Sequence, residues 1–137
     1  VGGVPEIDNF RQKGFICYEG DQGNIEFLKT IDTKFDVIVE DGSHHSDDQI
    51  VTFKQMFLNN VKSGGVYVLE DLHCCLEDYW YRSVNGYENT MLALLKRLGK
   101  SESIVSQFFT QQESDEICSQ IDKLYLYEPS IAFIFKK

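Results

Sequence analysis

The chain has 137 residues, 42% of them apolar, and a formal net charge of −9. This size allows one domain with a real core, and the acidic balance argues against a nucleic-acid binder, because phosphate contacts need a basic face. The sequence has no run of about 18 apolar residues, so we expect no membrane span. The N-terminus does not have the pattern of a signal peptide. The four cysteines do not form a secreted disulfide pattern, so we expect reduced thiols and a cytoplasmic location.

The beginning of the chain predicts a loop, a strand and a short helix, in that order. Residues 1–13 are polar and marked by Gly and Pro, and we expect a loop there. The run from Phe15 to Glu19 is β-prone and is closed by Gly20-Asp21-Gln22-Gly23, so it predicts a short strand. Asn24 then precedes apolar residues at helical spacing and begins a short helix.

The middle of the chain predicts two further strands with a helix between them. The first strand is Phe35–Glu40. Ser46 and Gln49 fit a capping box, and apolar residues at helical spacing follow them. Ser63-Gly64-Gly65 ends this helix and leads into an apolar strand that finishes at Glu70.

A long irregular segment and a helix come next. Residues 72–87 are aromatic and acidic, and we expect them to form a loop over a functional site. The aromatic residues of this segment include Tyr79, Trp80 and Tyr81. They could form a wall on which a sugar stacks, or they could simply pack within the loop. Asn89–Leu98 predicts a helix with a leucine-rich core stripe, ended by Gly99.

The C-terminal region predicts a β-hairpin. Residues 100–120 are ambiguous, with Ser114 as a candidate cap for a helix that runs through Ile121. Two strands, Lys123–Glu128 and Ile131–Phe135, then follow across a tight turn that contains proline.

Strands separated by helices of about ten residues indicate βαβ units. We therefore expect an α/β fold with a Rossmann-like, mostly parallel sheet, completed by a C-terminal antiparallel hairpin. The sequence shows no internal repeat and no domain boundary, so residues 1–137 are interpreted as a single domain.

Acidic side chains follow two of the predicted strands, at the point where each strand ends. Asp41 follows Phe35–Glu40, Glu70 and Asp71 end the next strand, and His44 comes three residues after Asp41. Ligands of open α/β sheets bind at this edge. Carboxylates there would suit a hard metal ion, and an imidazole beside them would suit a general base. Taken singly, Asp41 is more typical of an Asp-Gly turn, and Glu70 and Asp71 are more typical of a solvated strand end or a helix N-cap. Taken together with His44, they favour the metal site.

Other histidines and cysteines lie close to these residues in the sequence. His45 is adjacent to His44 and should point elsewhere, toward solvent or a supporting contact. His73, Cys74 and Cys75 are too consecutive to surround a tetrahedral zinc ion, and no second cysteine pair has the spacing of a zinc finger.

Three motifs occur in order along this part of the chain: Gly20-Asp21-Gln22, Asp41-Gly42-Ser43-His44, and the segment from Gly64 through Glu70-Asp71 to His73. With them the chain resembles the class I S-adenosylmethionine-dependent methyltransferases, and in particular the magnesium-dependent sugar O-methyltransferases of macrolide biosynthesis.

The resemblance implies a role for each motif. Mg²⁺ would be held by Asp41, Glu70 and Asp71, and His44 would be the general base. Asp21 and Gln22 would lie near the adenine of S-adenosylmethionine. The implied substrate is a small molecule, with a sugar or a glycosylated metabolite offering the hydroxyl that is methylated.

The beginning of the chain departs from this family's pattern. The family sheet has the strand order 3-2-1-4-5-7-6, and nothing before Phe15 supplies a first strand with a Gly-rich cofactor turn. We therefore expect a sheet that is incomplete on its N-terminal side and is completed by another segment, or by a second copy in a homo-oligomer, because unpaired edges aggregate. The alternative function is a catalytically incompetent remnant, or an interaction module that lacks the cofactor loop.

Overall fold

The computed structural model describes residues 7–76 and 86–137. In this part of the chain, helices pack on a four-stranded sheet whose strand order is β1-β2-β4-β3. Short 3-10 turns at Leu72–Cys75 and Tyr87–Asn89 stand on either side of residues 77–85. The elements in chain order are α1 (Ile7–Gln12), α2 (Ile25–Leu28), β1 (Phe35–Glu40), α3 (Ser46–Asn59), β2 (Val61–Leu69), α4 (Met91–Gly99), α5 (Gln111–Gln120), β3 (Ile121–Tyr127) and β4 (Ile131–Lys136).

The strand pairing confirms the α/β class and the C-terminal hairpin. β1 and β2 run parallel with Glu40 opposite Leu69, whereas β4 pairs antiparallel with both β2 and β3. One parallel pair makes this a mixed sheet rather than a mostly parallel one, since only one βαβ unit is formed by the described residues. The order β1-β2-β4-β3 reproduces the 4-5-7-6 side of the sheet expected from the resemblance.

The N-terminal region differs from the expectation. Residues 7–12 are not loop but a short helix, in which Arg11 pairs with Asp8 at 3.2 Å. The segment Phe15–Glu19 is not a strand. A strand needs a neighbour to satisfy its backbone groups, and no described strand lies beside this segment, so Ile16 remains 80% exposed.

Helix boundaries also differ where tertiary contacts compete with local signals. The expected capping box at Ser46 does not form, because the Ser46 hydroxyl accepts a hydrogen bond from the Met91 amide at 2.6 Å. A capping box forms instead at Thr110 and Glu113, at the start of α5. The expected cap Ser114 is buried and accepts from the Ile104 amide at 3.1 Å. Each of these serines thus satisfies a buried backbone N–H outside its own helix.

The hydrophobic core lies on one face of the sheet. Tyr67 and Leu69 of β2 are fully buried there against Phe53 and Phe57 of α3 and the leucines of α4. The opposite face is exposed at β1, where Val37 and Val39 are 55% and 56% accessible. No helix in the described ranges combines the length and the apolar character that crossing a bilayer requires. The carboxyl ends of β1 and β2 therefore stand above a rigid, well-packed support.

Candidate functional site

The candidate site lies at the carboxyl ends of the two parallel strands. The amide of Glu70 donates to the Glu40 carbonyl at 3.1 Å, so the pairing continues to the last residue of β1. Asp41 and Asp71 each come directly after this last paired position. The parallel arrangement therefore brings the two predicted acidic corners to one edge of the sheet, as expected for a ligand site in an α/β fold.

Asp41, His44 and Asp71 form one cluster at this edge. The Nε2 atom of His44 lies 3.9 Å from Asp41 Oδ1 and 3.6 Å from Asp71 Oδ2. One ligand atom from each of the three residues falls within 4.8 Å of the other two. These separations exceed a hydrogen bond and leave room between the groups. Two carboxylates and an imidazole in this arrangement can hold a divalent cation.

His44 and Asp71 both adopt the left-handed backbone conformation. Their φ angles are +59° and +54°, and Ser101 is the other non-glycine residue with a positive φ in the described ranges. This conformation costs an L-residue roughly 1–2 kcal/mol, and such strain persists where the surrounding structure fixes it. Two residues of the cluster are therefore held in place by their neighbours against their local preference.

Glu70 is the predicted metal ligand that the structure does not bring into the cluster. Its backbone continues the pairing of β2 with β1, but its carboxylate is not among the three converging groups. Among the described residues, His44 takes the third place in the cluster.

The other histidines and the cysteine pair lie around the cluster. His45 is exposed and precedes α3, where its carbonyl accepts from Gln49. His73 Nδ1 lies 3.7 Å from Asp71 Oδ1, and its Nε2 lies 3.8 Å from the buried Cys74 sulfur. The described residues contain no converging group of metal-ligand atoms that includes a cysteine.

Asp21 and Gln22 occupy the turn before α2. Asp21 is exposed, and its Oδ1 accepts from the Gly23 amide at 2.8 Å, which is the turn contact expected of an aspartate after glycine. The Gln22 amide points inward, donating to Glu40 Oε1 at 2.9 Å and accepting from the Ser43 amide at 2.6 Å. Both ends of this amide are engaged within the protein, so its side chain is not offered to a cofactor in this conformation.

Glu40 is the ionisable residue of the site that sequence reasoning missed. It is 6% exposed and accepts hydrogen bonds from Tyr67 Oη at 2.6 Å and from Gln22. Burial raises the pKa of Glu40 to about 8, although both hydrogen bonds favour the charged form and oppose this rise. Burial, together with the adjacent Glu40, also raises the pKa of the Tyr67 phenol well above its usual value.

A sequence signal for Glu40 did exist. Side chains alternate between the faces of a strand, so Glu40 shares a face with Ile38 of β1, and that face carries the core. A glutamate at the end of a strand is nevertheless usually solvated. The predicted aromatic wall of Tyr79, Trp80 and Tyr81 lies outside the described residues, as does most of the predicted 72–87 loop.

Comparison with curated proteins identifies two similar enzymes. The chain is 37% identical over 88 residues to mycinamicin VI 2''-O-methyltransferase of Micromonospora griseorubida, a match that covers 58% of this chain and 21% of that protein. It is also 37% identical over 57 residues to 8-demethyl-8-(2-methoxy-alpha-L-rhamnosyl)-tetracenomycin-C 3'-O-methyltransferase of Streptomyces olivaceus, covering 39% of this chain and 14% of that protein. No protein-family model matches the sequence.

Comparison with solved structures gives the same result for the fold. The MycE methyltransferase of mycinamycin biosynthesis, in complex with Mg, SAH and mycinamycin VI, aligns with a TM-score of 0.64 and 27% identity, over 86% of this chain and 31% of that one. A crystal form of MycE with Mg and SAH aligns with a TM-score of 0.65 and 28% identity. The chain thus spans about a fifth of one curated relative and about a third of the MycE chain. These similarities confirm the resemblance to the macrolide sugar O-methyltransferases.

Proposed function

We propose that the chain carries the metal- and base-bearing part of an S-adenosylmethionine- and Mg²⁺-dependent O-methyltransferase, acting on a hydroxyl of a sugar or of a glycosylated metabolite. The observation that carries this proposal is the cluster of Asp41, His44 and Asp71. These side chains come from two strand ends that are distant in sequence, in a chain that is similar to two sugar O-methyltransferases and to MycE.

The donor set of the cluster fits a Mg²⁺ ion. Asp41 is exposed and Asp71 is half-buried, so both carboxylates are accessible to a cation that keeps part of its water. Mg²⁺ prefers oxygen ligands, which assigns Asp41 and Asp71 to the metal and leaves the imidazole of His44 as the base. Glu70, at the same strand end, would complete the set by a rotation of its side chain.

The chemistry is a displacement at a methyl carbon. When bound, S-adenosylmethionine supplies a methyl group on a sulfonium, and Mg²⁺ lowers the pKa of the acceptor hydroxyl. The methyl group would pass to the hydroxyl oxygen as the carbon–sulfur bond broke, and the electron pair of that bond would stay on sulfur, which would become a thioether. His44 accepts the hydroxyl proton on Nε2 and releases it to solvent.

Asp21 is the proposed contact to the cofactor adenine. Its Oδ1 is shared with the Gly23 amide, while the exposed side chain leaves Oδ2 able to accept from an exocyclic amine. The turn that carries it is linked to the 41–44 segment through Gln22. The cofactor and metal sides of the proposed site are therefore structurally connected.

Metal binding tests the proposed function directly. We expect Mn²⁺, used as a paramagnetic probe for Mg²⁺ in titrations followed by electron paramagnetic resonance, to bind the wild type and to lose at least tenfold in affinity in Asp41→Asn and Asp71→Asn. Asp36→Asn is the matched control, because Asp36 is an exposed acid of β1 that pairs with Lys62 at 2.9 Å. Unchanged Mn²⁺ affinity in Asp41→Asn would refute the metal assignment.

The base assignment has a separate test. His44→Ala should retain Mn²⁺ affinity and reduce methyl transfer by about 10²–10⁴-fold with a macrolide glycoside acceptor, because a general base contributes about that much to the rate. His45→Ala is the matched control, since its ring lies next in sequence and is exposed. A loss of Mn²⁺ affinity in His44→Ala would instead make this histidine a ligand.

The catalytically incompetent alternative is favoured by one observation. Phe15–Glu19 does not join the sheet, and β1 is one of the two edge strands formed by the described residues. Calorimetry with S-adenosylhomocysteine in the presence of Mg²⁺ separates the two functions, since a binding module without a cofactor site gives no heat at millimolar ligand. We also propose that a second copy pairs with the edge of β1, which would complete the sheet as a homo-oligomer, and that it packs on the exposed Val37 and Val39.

A further inference from the structure

We propose that Gln22 is a positioning residue, whose side-chain amide fixes Asp41-Gly42-Ser43-His44 in the conformation that forms the cluster. We call these four residues the 41–44 loop. This inference rests on the proposed function, because it assigns a purpose to a network beside the proposed metal site. It differs from the role expected from the sequence, in which Gln22 lies beside Asp21 against the cofactor.

Gln22 connects three separate elements. Its Oε1 accepts from the Ser43 amide at 2.6 Å, within the 41–44 loop. Its Nε2 donates to Glu40 Oε1 at 2.9 Å, at the end of β1. The backbone carbonyl of Gln22 accepts from the Thr52 hydroxyl of α3 at 3.0 Å, which holds the residue itself in place. The loop is thus tied to the strand through the Gln22 side chain, and to the helix through the backbone of the same residue.

The contact with the loop is close as well as directional. A Cβ atom added to Gly42 would lie 1.7 Å from Gln22 Oε1, so the amide packs directly on the loop backbone at a position that only glycine leaves open. The bonded amide of Ser43 comes immediately before His44, whose φ is +59°. The hydrogen bond therefore acts at the residue where the chain enters its strained conformation.

The Ser43 side chain provides a second support from α3. Its hydroxyl donates to Asp48 Oδ2 at 2.8 Å and accepts from the His45 amide at 3.2 Å. These bonds hold the loop from the far side, but they act on the side chain of Ser43 and not on its amide. Removal of Gln22 should therefore loosen the loop backbone without unfolding the domain.

Glutamine is chemically suited to this position. An amide carries a donor and an acceptor at once, so it can satisfy the Glu40 oxygen and the Ser43 N–H together. Leucine at this position would leave the Ser43 amide and a Glu40 oxygen without partners. Glutamate would accept from Ser43 but would place a second acceptor group against Glu40.

The experiment combines a measurement on the metal-free protein with one on metal binding. In Gln22→Leu we expect amide hydrogen exchange of Ser43, followed by nuclear magnetic resonance, to be at least tenfold faster than in the wild type, and the affinity for Mn²⁺ to be about tenfold weaker. Gln111→Leu is the matched control, because its amide donates to Asp115 at 2.8 Å on the exposed face of α5. Neither measurement should change in this control.

Each outcome decides a separate point. Unchanged Ser43 exchange in Gln22→Leu overturns the proposal, as does faster exchange with unchanged Mn²⁺ affinity, which would make Gln22 merely structural. Failure of the wild type to bind Mn²⁺ overturns the proposed function, and the exchange measurement then still decides whether Gln22 fixes the loop. If Gln22→Leu does not fold, Thr52→Val removes the hydroxyl that anchors Gln22 and should move both measurements in the same direction.

Discussion

Glu40 should make the protein lose stability as the pH rises. Burial raises its pKa to about 8, from an ordinary value of 4.5 that should hold in the unfolded chain. Between these values the native state keeps a proton that the unfolded state has released. Stability falls with pH wherever the native state binds more protons. The contribution of Glu40 is therefore most favourable below about pH 4.5 and is lost progressively up to about pH 8.

The size of the effect follows from the same interval. Each pH unit between the two pKa values corresponds to about 1.4 kcal/mol, so the whole interval amounts to ~5 kcal/mol at most. A domain of this size has a total stability of about 5–15 kcal/mol. Glu40 is 6% exposed, and water therefore screens the effect little. The pH dependence should be visible without difficulty.

Urea unfolding across the pH range measures this effect. We expect the free energy of unfolding of the wild type, minus that of Glu40→Gln, to fall by several kcal/mol between about pH 5 and about pH 9, at constant ionic strength. Subtracting the variant removes the titration of the histidines and of exposed acids. Glu26→Gln is the control, because Glu26 is an exposed helix residue that pairs with Lys29 at 2.7 Å.

Parallel pH profiles for the wild type and Glu40→Gln would refute the reasoning, since they would mean that Glu40 is already ionised in the folded protein at low pH. A fall of the same size in the difference between the wild type and Glu26→Gln would also refute it, because Glu26 is exposed and is not part of the buried network around Glu40.

Three further changes give independent tests. Gly42→Ala should lower the free energy of unfolding by about 1–3 kcal/mol, because its Cβ would overlap Gln22, whereas Gly99→Ala, with its nearest neighbour at 3.8 Å, should change it by no more than about 0.5 kcal/mol in urea unfolding. Thr110→Ala removes the capping box of α5 and should cost about 1 kcal/mol in thermal unfolding; an unchanged midpoint would contradict the cap. If a second copy packs on β1, Val39→Lys should lower the sedimentation coefficient toward the value of a monomer. A wild-type protein that sediments as a monomer would rule out this homo-oligomer.

Local patterns gave the elements that need little tertiary information. β1 has the predicted bounds because Phe35–Glu40 is an unambiguous β-prone run, and α4 begins and ends within two residues of its prediction. Phe15–Glu19 has similar composition but does not form a strand. Composition establishes the preference for a strand, whereas pairing requires a neighbour that no local pattern reveals.

The candidate site shows the same division. Asp41, His44 and Asp71 could be placed near one another because the carboxyl ends of adjacent parallel strands share an edge. The burial of Glu40 could not be predicted in the same way, because it depends on Tyr67 of the neighbouring strand and on the inward turn of Gln22. These contacts join residues far apart in sequence. The position of a longer side chain such as Glu70 also depends on its rotamer, which the sequence does not specify.

The place of β4 in the sheet affects how the protein can fold during its synthesis. β4 fills the position beside β2, yet its residues are translated long after Val66–Leu69, with which they pair. Until residues 131–136 leave the ribosome, β2 has only β1 as a neighbour, and the hydrogen-bonding groups of its other edge are open to incorrect partners. In a nascent chain paused before Ile131, the edge of β2 that later pairs with β4 would therefore be the place where incorrect strand pairing begins.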